Sequence, residues 1–411
     1  MNSSIFVMRT AIFGIVLVLG NTAAAGDDHG STVYHHIGTV TEPAVAAIAA
    51  GITPTNPTGR FASFDISWVD SAHGVYYLAD RSNNAVDVID TTDGSFVHFL
   101  GQGAFAGVVS GTPNRSGPNG VVTDNEGNVW VGDGLIGGMG HSRIKAFNPT
   151  TGVMFANIDN GGVARADELA FGNTGGGRIL IANPNEPTTA FVTLVNTQTR
   201  TILAQVRYDA AANATGVPPA GHGFNTNFAG SQHGLEQPAF LNGKFYLNVP
   251  ATVQNTGGEL DVSDPNTGVI TAVLPLSNCG GTGLAALPHR ELLVECGDSA
   301  RILDTHGNEL ARFPVFGAAD QIWFNPGDGR AYFSLVPNAT LRPGAPAGLG
   351  VLDVAERRSL GITGVAGAQG LHSIAADAHN NRIFFPSSDN PDNGGGGIVM
   401  MRAAQQEHED D

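Results

Sequence analysis

The chain has 411 residues and a formal net charge of -17 at pH 7, because 37 Asp and Glu outnumber 20 Lys and Arg. This acidic balance argues against nucleic-acid binding, which needs clustered Lys and Arg to neutralise phosphates. With 56 Gly and only 14% charged residues, the composition favours a turn-rich β protein over a helical one.

The first 25 residues predict a secretory signal peptide. Arg9 is their only charge, residues 12–20 form a short apolar run, and residues 23–25 are three alanines suited to cleavage. The run is too short to span a membrane, and no later stretch reaches 18 uninterrupted apolar residues. We therefore expect an exported protein, periplasmic or secreted, without a membrane span. In such an oxidising compartment the two cysteines, Cys279 and Cys296, are expected to form one disulfide.

A hairpin pattern recurs seven times along the chain. Each copy has a short apolar strand, a turn of Gly, Asn, Asp or Pro, and a second apolar strand. The copies are 64–80, 117–134, 166–183, 235–248, 282–297, 319–334 and 371–386. A third strand follows in almost every unit, and a fourth short strand such as 94–101 closes it. Four antiparallel strands repeated about every 50 residues predict a β-propeller.

The last unit explains how the ring closes. It offers strands at 373–376, 382–386 and 397–402 and lacks a fourth, whereas residues 32–40 precede the first unit and have the character of a displaced fourth strand. Joining the chain ends in one sheet leaves no open edge. We predict an all-β, seven-bladed propeller that forms a single domain over residues 26–402, followed by an acidic tail at 403–411.

The repeats resemble those of bacterial seven-bladed propellers with YVTN-type or NHL-type repeats. The resemblance rests on the Asp-Pro-Asn-Thr-Gly turn at 264–268, on related turns at 90–94 and 148–152, and on GPNGVVTDNEGNVWVGD at 117–133. It extends from residue 32 to residue 402. Motifs of this kind indicate a fold and leave the activity open.

In such propellers the first strand of each blade lines a central tunnel and begins at the face called the top. A gapless alignment on Asn119 gives the residue at each strand head: Asp65, Asn119, Asp167, Glu236, Gly283, Asp320 and His372. Four carboxylates around one axis repel one another unless a cation, protons or water intervene. Their oxygens suit a hard divalent ion, calcium first and magnesium second. Alternatively, these residues cap strand ends and bind backbone NH groups of neighbouring blades, or they line an empty acidic funnel.

The Pro-Asn-Gly at 118–120, followed by GNVWV at 127–131, also resembles the calcium-dependent lactonase and phosphotriesterase propellers of the gluconolactonase and paraoxonase type. That resemblance implies a metal-dependent hydrolase acting on a small ester, lactone or phosphotriester at the top of the tunnel. The expected metal ligands are Asp65, Asn119, Asp167, Glu236 and Asp320, and the expected catalytic residues are His372, His233 and Glu236. Those families have six blades, and Asp320 and His372 have no clear counterpart in them.

Two other functions stay open. One is a non-catalytic exported propeller, which holds a ligand or a partner on its top face. The other resembles virginiamycin B lyase, a seven-bladed propeller that uses a magnesium ion with histidine and glutamate, and His233, Glu236 and His372 would fill those roles. We expect a monomer with a small molecule at the tunnel mouth.

Overall fold

The computed structural model describes residues 34–40, 63–187, 189–208, 234–344, 347–365, 368, 370–388 and 397–403. Within them the chain forms 28 β-strands, which are grouped in seven four-stranded antiparallel sheets. Four 3-10 helices connect strands, at Pro113–Arg115, Ile136–Gly138, Pro288–Arg290 and Pro314–Phe316. No helix of the described residues is long and apolar enough to cross a membrane. The predicted all-β, seven-bladed propeller is confirmed.

Six blades are built from four consecutive strands, counted outwards from the tunnel. The first blade contains β2 Ser67–Asp70, β3 Val75–Asp80, β4 Ala85–Asp90 and β5 Phe96–Leu100. The second blade contains β6 Val121–Thr123, β7 Val129–Asp133, β8 Arg143–Phe147 and β9 Met154–Asp159. The third blade contains β10 Leu169–Gly172, β11 Arg178–Asn183, β12 Phe191–Asn196 and β13 Thr201–Arg207. The fourth blade contains β14 Pro238–Leu241, β15 Lys244–Val249, β16 Glu259–Ser263 and β17 Ile270–Pro275. The fifth blade contains β18 Leu284–Leu287, β19 Glu291–Cys296, β20 Ser299–Asp304 and β21 Glu309–Phe313. The sixth blade contains β22 Ala319–Asn325, β23 Arg330–Leu335, β24 Gly348–Asp353 and β25 Arg358–Gly364.

The seventh blade joins the two ends of the propeller. Its three inner strands are β26 Ala375–Ala376, β27 Ile383–Ser387 and β28 Gly397–Ala403. Its outer strand is β1 Tyr34–Val40, which pairs antiparallel with β28 from Tyr34 opposite Ala403 to Val40 opposite Ile398. The predicted displaced fourth strand is therefore correct. It covers the outer edge of the last sheet, which would otherwise expose unpaired backbone groups.

Burial differs between the middle and the outer strands because the blades pack face to face. The second strand β11 buries all six of its residues between neighbouring blades, whereas the outer strand β13 alternates between exposed and half-buried positions. Apolar contacts cross every seam of this kind. Tyr76 of the first blade, for example, stacks on Phe384 of the seventh with ring centroids 4.9 Å apart. This arrangement explains the near-continuous apolar runs of the middle strands and the alternation of the outer ones.

Backbone hydrogen bonds define the head of each inner strand. The NH of Asn119 donates to Gly132 O at 2.9 Å, and Gly132 NH returns a bond to Gly120 O at 3.0 Å. In the fifth blade the returning bond runs from Glu295 NH to Gly283 O at 2.9 Å, so the residue equivalent to Asn119 is Thr282. Gly283 corresponds to Gly120, the residue after the strand head, so the gapless alignment was wrong by one residue at Gly283.

The predicted disulfide between Cys279 and Cys296 is confirmed, and both cysteines are fully buried. Cys279 precedes the inner strand β18, and Cys296 ends its partner β19. The bond closes a loop of sequence separation 17 and fixes the top of the fifth blade.

We predict that the double variant Cys279→Ser/Cys296→Ser unfolds with a free energy lower than that of the wild type by about 3 kcal/mol, because the unfolded chain regains loop freedom. Urea unfolding with and without reductant measures the difference. Reductant should lower the stability of the wild type to that of the variant and leave the variant unchanged. Two free thiols after unfolding without reductant would contradict the bond.

Candidate functional site

The heads of the inner strands converge at the top of the tunnel. Asp65, Asp167 and Glu236 lie two residues before the inner strands of their blades, whereas Asp320 lies inside β22 and His372 lies before β26. In each of the first four blades the head is held by a backbone bond to the second strand of the same blade, as Asp65 NH to Ala79 O shows at 2.8 Å. The polar side chains at these four heads therefore have a rigid sheet behind them.

On the side of the first two blades the polar groups form a closed network around Arg81. Its guanidinium forms a buried ion pair with Asp65 and donates to Asn119 Oδ1 from Nε at 3.0 Å and from Nη2 at 2.6 Å. The Asn119 amide in turn donates to Ser116 O at 3.1 Å and to Ala166 O at 2.8 Å. Asn119 thus connects the second blade to the linker before the third, but it does so through backbone carbonyl groups and not through the backbone NH groups that the strand-capping alternative named.

A second arginine serves the third blade. Arg165 Nε donates to Asp167 Oδ2 at 2.7 Å, and both side chains are largely buried. Burial raises the pKa of Asp167 to about 6, although the charge of Arg165 opposes the shift. In Asp65 the balance is reversed: burial raises the pKa, but the Arg81 charge, the His372 hydrogen bond and the Arg165 charge together outweigh it and hold the pKa below its usual range.

Glu168, Glu236 and Asp320 bring carboxylate oxygens within 4.8 Å of one another. Glu168 is only 8% exposed, and its buried Oε2 has no hydrogen-bond partner among the described residues. Burial, followed by the charges of the neighbouring carboxylates, raises the pKa of Glu168 and that of Glu236 well above the ordinary value. These three side chains form the one described cluster of acidic or histidine residues with spacing suited to a metal ion.

A cavity of about 320 Å³ connects these groups. Its described lining includes Asp65, Arg165, Asp167, Glu168, Glu236, Asp320 and Glu295. Glu295 supports the rim, since its carboxyl accepts hydrogen bonds from Thr282 NH at 3.2 Å and from Ala318 NH at 2.6 Å. Burial raises its pKa to about 8, against the opposing effect of these hydrogen bonds. The cavity is therefore strongly acidic and contains a single described cation, Arg165.

His372 lies beside this cavity, against the first blade. Its Nδ1 is 2.8 Å from Gly370 O, and its Nε2 is 3.3 Å from Phe64 O and 3.5 Å from Asp65 Oδ1. Burial lowers the pKa of His372, but the hydrogen bond and charge of Asp65 outweigh it, so the pKa is raised. Because both ring nitrogens face oxygen atoms, the protonated imidazolium, which donates from both, is favoured.

The residues named in advance thus have different surroundings. Asp65, Asn119 and Asp167 contact arginines, whereas Glu236 and Asp320 face each other in the acidic cluster. His233 lies outside the described residues, and its role stays a prediction. Sequence analysis missed Glu168, Arg81 and Arg165. Two features of the sequence could have pointed to Glu168 and Arg165. Glu168 follows Asp167 directly, which gives two carboxylates at one strand head, and Arg165 lies two residues before Asp167.

Comparison with known proteins gives a fold and no family. No family model and no curated protein matches the chain. Among solved structures 1116 chains match, including one described as "Crystal Structure of Mitotic Checkpoint Complex". That match has a TM-score of 0.58 at 10% identity and covers 96% of this chain and 98% of that chain. At this identity the likeness shows the propeller fold alone.

We predict that Arg81→Gln lowers the free energy of unfolding at pH 7 by about 3–5 kcal/mol, because Asp65 is left buried without its counter-charge. The double variant Arg81→Gln/Asp65→Asn should recover part of this loss in urea unfolding. Arg312→Gln is a matched control, since its pair with Glu309 is exposed and should contribute less than about 1 kcal/mol.

The same pair gives a signed pH dependence. Because the folded pKa of Asp65 is lowered, its stabilisation is present above the unfolded pKa of about 4 and is lost as pH falls through the folded value. The stability difference between wild type and Arg81→Gln should therefore be largest near neutral pH and shrink in acid. A difference independent of pH would contradict the role given to the ion pair.

Proposed function

We propose that the chain is an exported, divalent-metal-dependent hydrolase acting on a small ester, lactone or phosphotriester at the top of its tunnel. The observation that carries the proposal is the convergence of Glu168, Glu236 and Asp320, with one buried Glu168 oxygen that accepts no hydrogen bond from the part of the chain that the structure describes. A buried carboxylate oxygen without a donor is costly unless a proton or a cation compensates it.

The spacing favours calcium over magnesium. Two oxygens bound to the same calcium ion at 2.3–2.6 Å lie at most about 5 Å apart, and the smaller magnesium ion limits them to about 4 Å. The three ligand oxygens lie within 4.8 Å of one another. Three protein ligands also leave coordination positions for water and substrate, as a catalytic site requires.

Electrostatics explain why the ion belongs at these three residues. Arg81 and Arg165 already compensate Asp65 and Asp167, so a cation placed among those carboxylates would compete with a guanidinium. Glu168 and Glu236 instead have raised pKa values, because burial and neighbouring carboxylates oppose their ionisation. In the proposal Glu236 and Asp320 keep their predicted role as ligands and Glu168 joins them. Asp65, Asn119 and Asp167 hold the arginines that form the wall of the site.

The chemistry follows from the neighbours of the cluster. A bound divalent ion would polarise the carbonyl or phosphoryl oxygen of a substrate. Glu236 would be ionised beside the bound ion, and its carboxylate is suited to accept a proton from the attacking water. His372, held in its protonated form by Asp65, is suited to donate a proton to the leaving group. Histidine and carboxylate thus act as acid and base on opposite sides of the tunnel mouth.

Other findings agree with an exported enzyme. The disulfide Cys279–Cys296 fits an oxidising compartment, which supports the signal peptide read from the first 25 residues. We retain the YVTN-type or NHL-type repeats and the likeness to gluconolactonase-type propellers as part of this proposal. We also propose that the protein is a monomer.

We predict that calcium raises the melting temperature of the chelator-treated protein. At a hundredfold excess over Kd the gain is about 2.7 kcal/mol, since only the folded state has the site. Glu168→Gln, which keeps the shape and removes the charge, should abolish the gain, whereas Glu356→Gln on the exposed β24–β25 turn should retain it. Affinity should rise with pH, because Glu168 and Glu236 must lose protons to bind.

A wild type that retains no divalent ion and does not respond to calcium or magnesium would remove both the hydrolase and the lyase proposals. A calcium response that persists in Glu168→Gln would instead show that calcium binds outside this cluster. Melting curves recorded together with direct metal analysis distinguish these outcomes.

We predict that the metal-loaded protein hydrolyses members of a lactone, aryl ester and phosphotriester panel. His372→Ala and Glu236→Gln should each lower kcat by about 10²–10⁴, the range for lost acid or base catalysis. Glu356→Gln serves again as the control. Unchanged kcat in both site variants would remove the catalytic assignment. A metal-binding protein that turns over no member of the panel would favour the binding or lyase alternative.

A further inference from the structure

Below the acidic cavity the tunnel contains a second chamber of about 220 Å³ with a different character. Its wall is made by residues that follow the strand heads along the inner strands. Its lining is mostly apolar and includes five aromatic side chains, Trp68, Phe171, Phe240, Trp323 and Phe324. Glu168 is the one charged residue among its described lining, and two glutamines supply most of the remaining polarity.

The chamber begins where the carboxylate cluster ends. Glu168 lines both cavities. Gln237 and Gln321, which also line the chamber, follow Glu236 and Asp320 directly in the chain. A molecule with one group at the carboxylates would therefore have its neighbouring atoms at the entrance of the apolar chamber.

The aromatic wall is rigid. Trp68 and Trp323 meet edge to face with ring centroids 5.0 Å apart at 75°. Trp68 is fixed further by a hydrogen bond of 3.0 Å from its Nε1 to Thr123 Oγ1. A pre-formed apolar cavity with a few polar groups at one end is the usual form of a small-molecule site, and burial of apolar surface drives binding in it.

We infer that this chamber binds a hydrocarbon or aryl substituent of the substrate, while the reacting ester group lies at Glu168, Glu236 and Asp320. The inference rests on the proposed function and narrows its substrate class to amphiphilic esters, lactones or phosphotriesters. Fully polar substrates, such as sugar lactones, would leave the chamber without apolar contacts and are disfavoured.

The test measures binding apart from catalysis. Two of the three tryptophans of the chain, Trp68 and Trp323, line the chamber, so an alkyl quencher bound there reduces intrinsic fluorescence. The chelator-treated full chain is titrated with bromoalkanols of increasing length. We expect saturable quenching, with affinity rising about fourfold per methylene until the chamber is filled.

A variant that fills the chamber locates the binding. Ala286 lines it and is partly exposed, so Ala286→Phe should weaken binding of the longer bromoalkanols by about tenfold or more, and Ala286→Leu by less. Ala272→Phe, on the exposed face of the outer strand β17, is the matched control and should bind as the wild type does. Circular dichroism checks that each variant is folded, and the chain-length series on the wild type needs no variant.

Quenching that never saturates, or affinity independent of chain length in the wild type, overturns the inference. Equal weakening by Ala272→Phe also overturns it. Saturable, length-dependent binding without any metal-dependent hydrolysis supports the chamber and removes the proposed hydrolase. Metal-dependent hydrolysis whose kcat/KM is the same for short and long alkyl esters leaves the proposed function standing and overturns the chamber.

Discussion

The rest of the structure depends on how the propeller tolerates carboxylates concentrated around its axis. Closing seven blades into a ring brings strand heads from distant parts of the chain together at one end of the tunnel. Like charges a few ångström apart in a partly dry interior repel by several kcal/mol. The chain meets this repulsion in two ways: arginines pair with Asp65 and Asp167, and burial beside other carboxylates raises the pKa values of Glu168 and Glu236, which favours their protonated forms.

The hydrogen bonds around Arg81 also hold neighbouring blades together. Arg81 leaves the first blade, reaches Asn119 of the second, and Asn119 contacts Ala166 ahead of the third. This series of side-chain hydrogen bonds therefore sets the spacing of three blades beside the candidate site. Because the same contacts neutralise Asp65, the stability of this seam and the charge of the cavity cannot be changed independently. Arg165 lines the same cavity as the acidic cluster but pairs with Asp167, so raised pKa values in Glu168 and Glu236 limit the repulsion within the cluster.

The sequence predicts the fold well because the information is local. Short stretches of sequence show the apolar strands, the Asx and Gly turns between them and the extra N-terminal strand. That extra strand, β1, pairs with β28 as expected. The site is predictable only in part. An alignment identifies most strand heads, but it placed Gly283 at the head of the fifth inner strand, where the backbone bonds place Thr282. The contact of Arg81 with Asn119 and the contact of Trp68 with Trp323 join residues of different blades, which no local pattern encodes.

Glu168 belongs to both the proposed metal site and the proposed apolar chamber. It lines both the acidic cavity and the apolar chamber, and one of its oxygens is buried with no hydrogen-bond partner in the described ranges. A tunnel selected only for stability would place an apolar or hydrogen-bonded side chain at this position, since an uncompensated carboxyl beside aromatic rings lowers the free energy of unfolding. Departures from local consistency of this kind concentrate at functional sites. The unfavourable position of Glu168 is thus the strongest argument that this tunnel holds a ligand, with a polar group above the carboxylate and an apolar group below it.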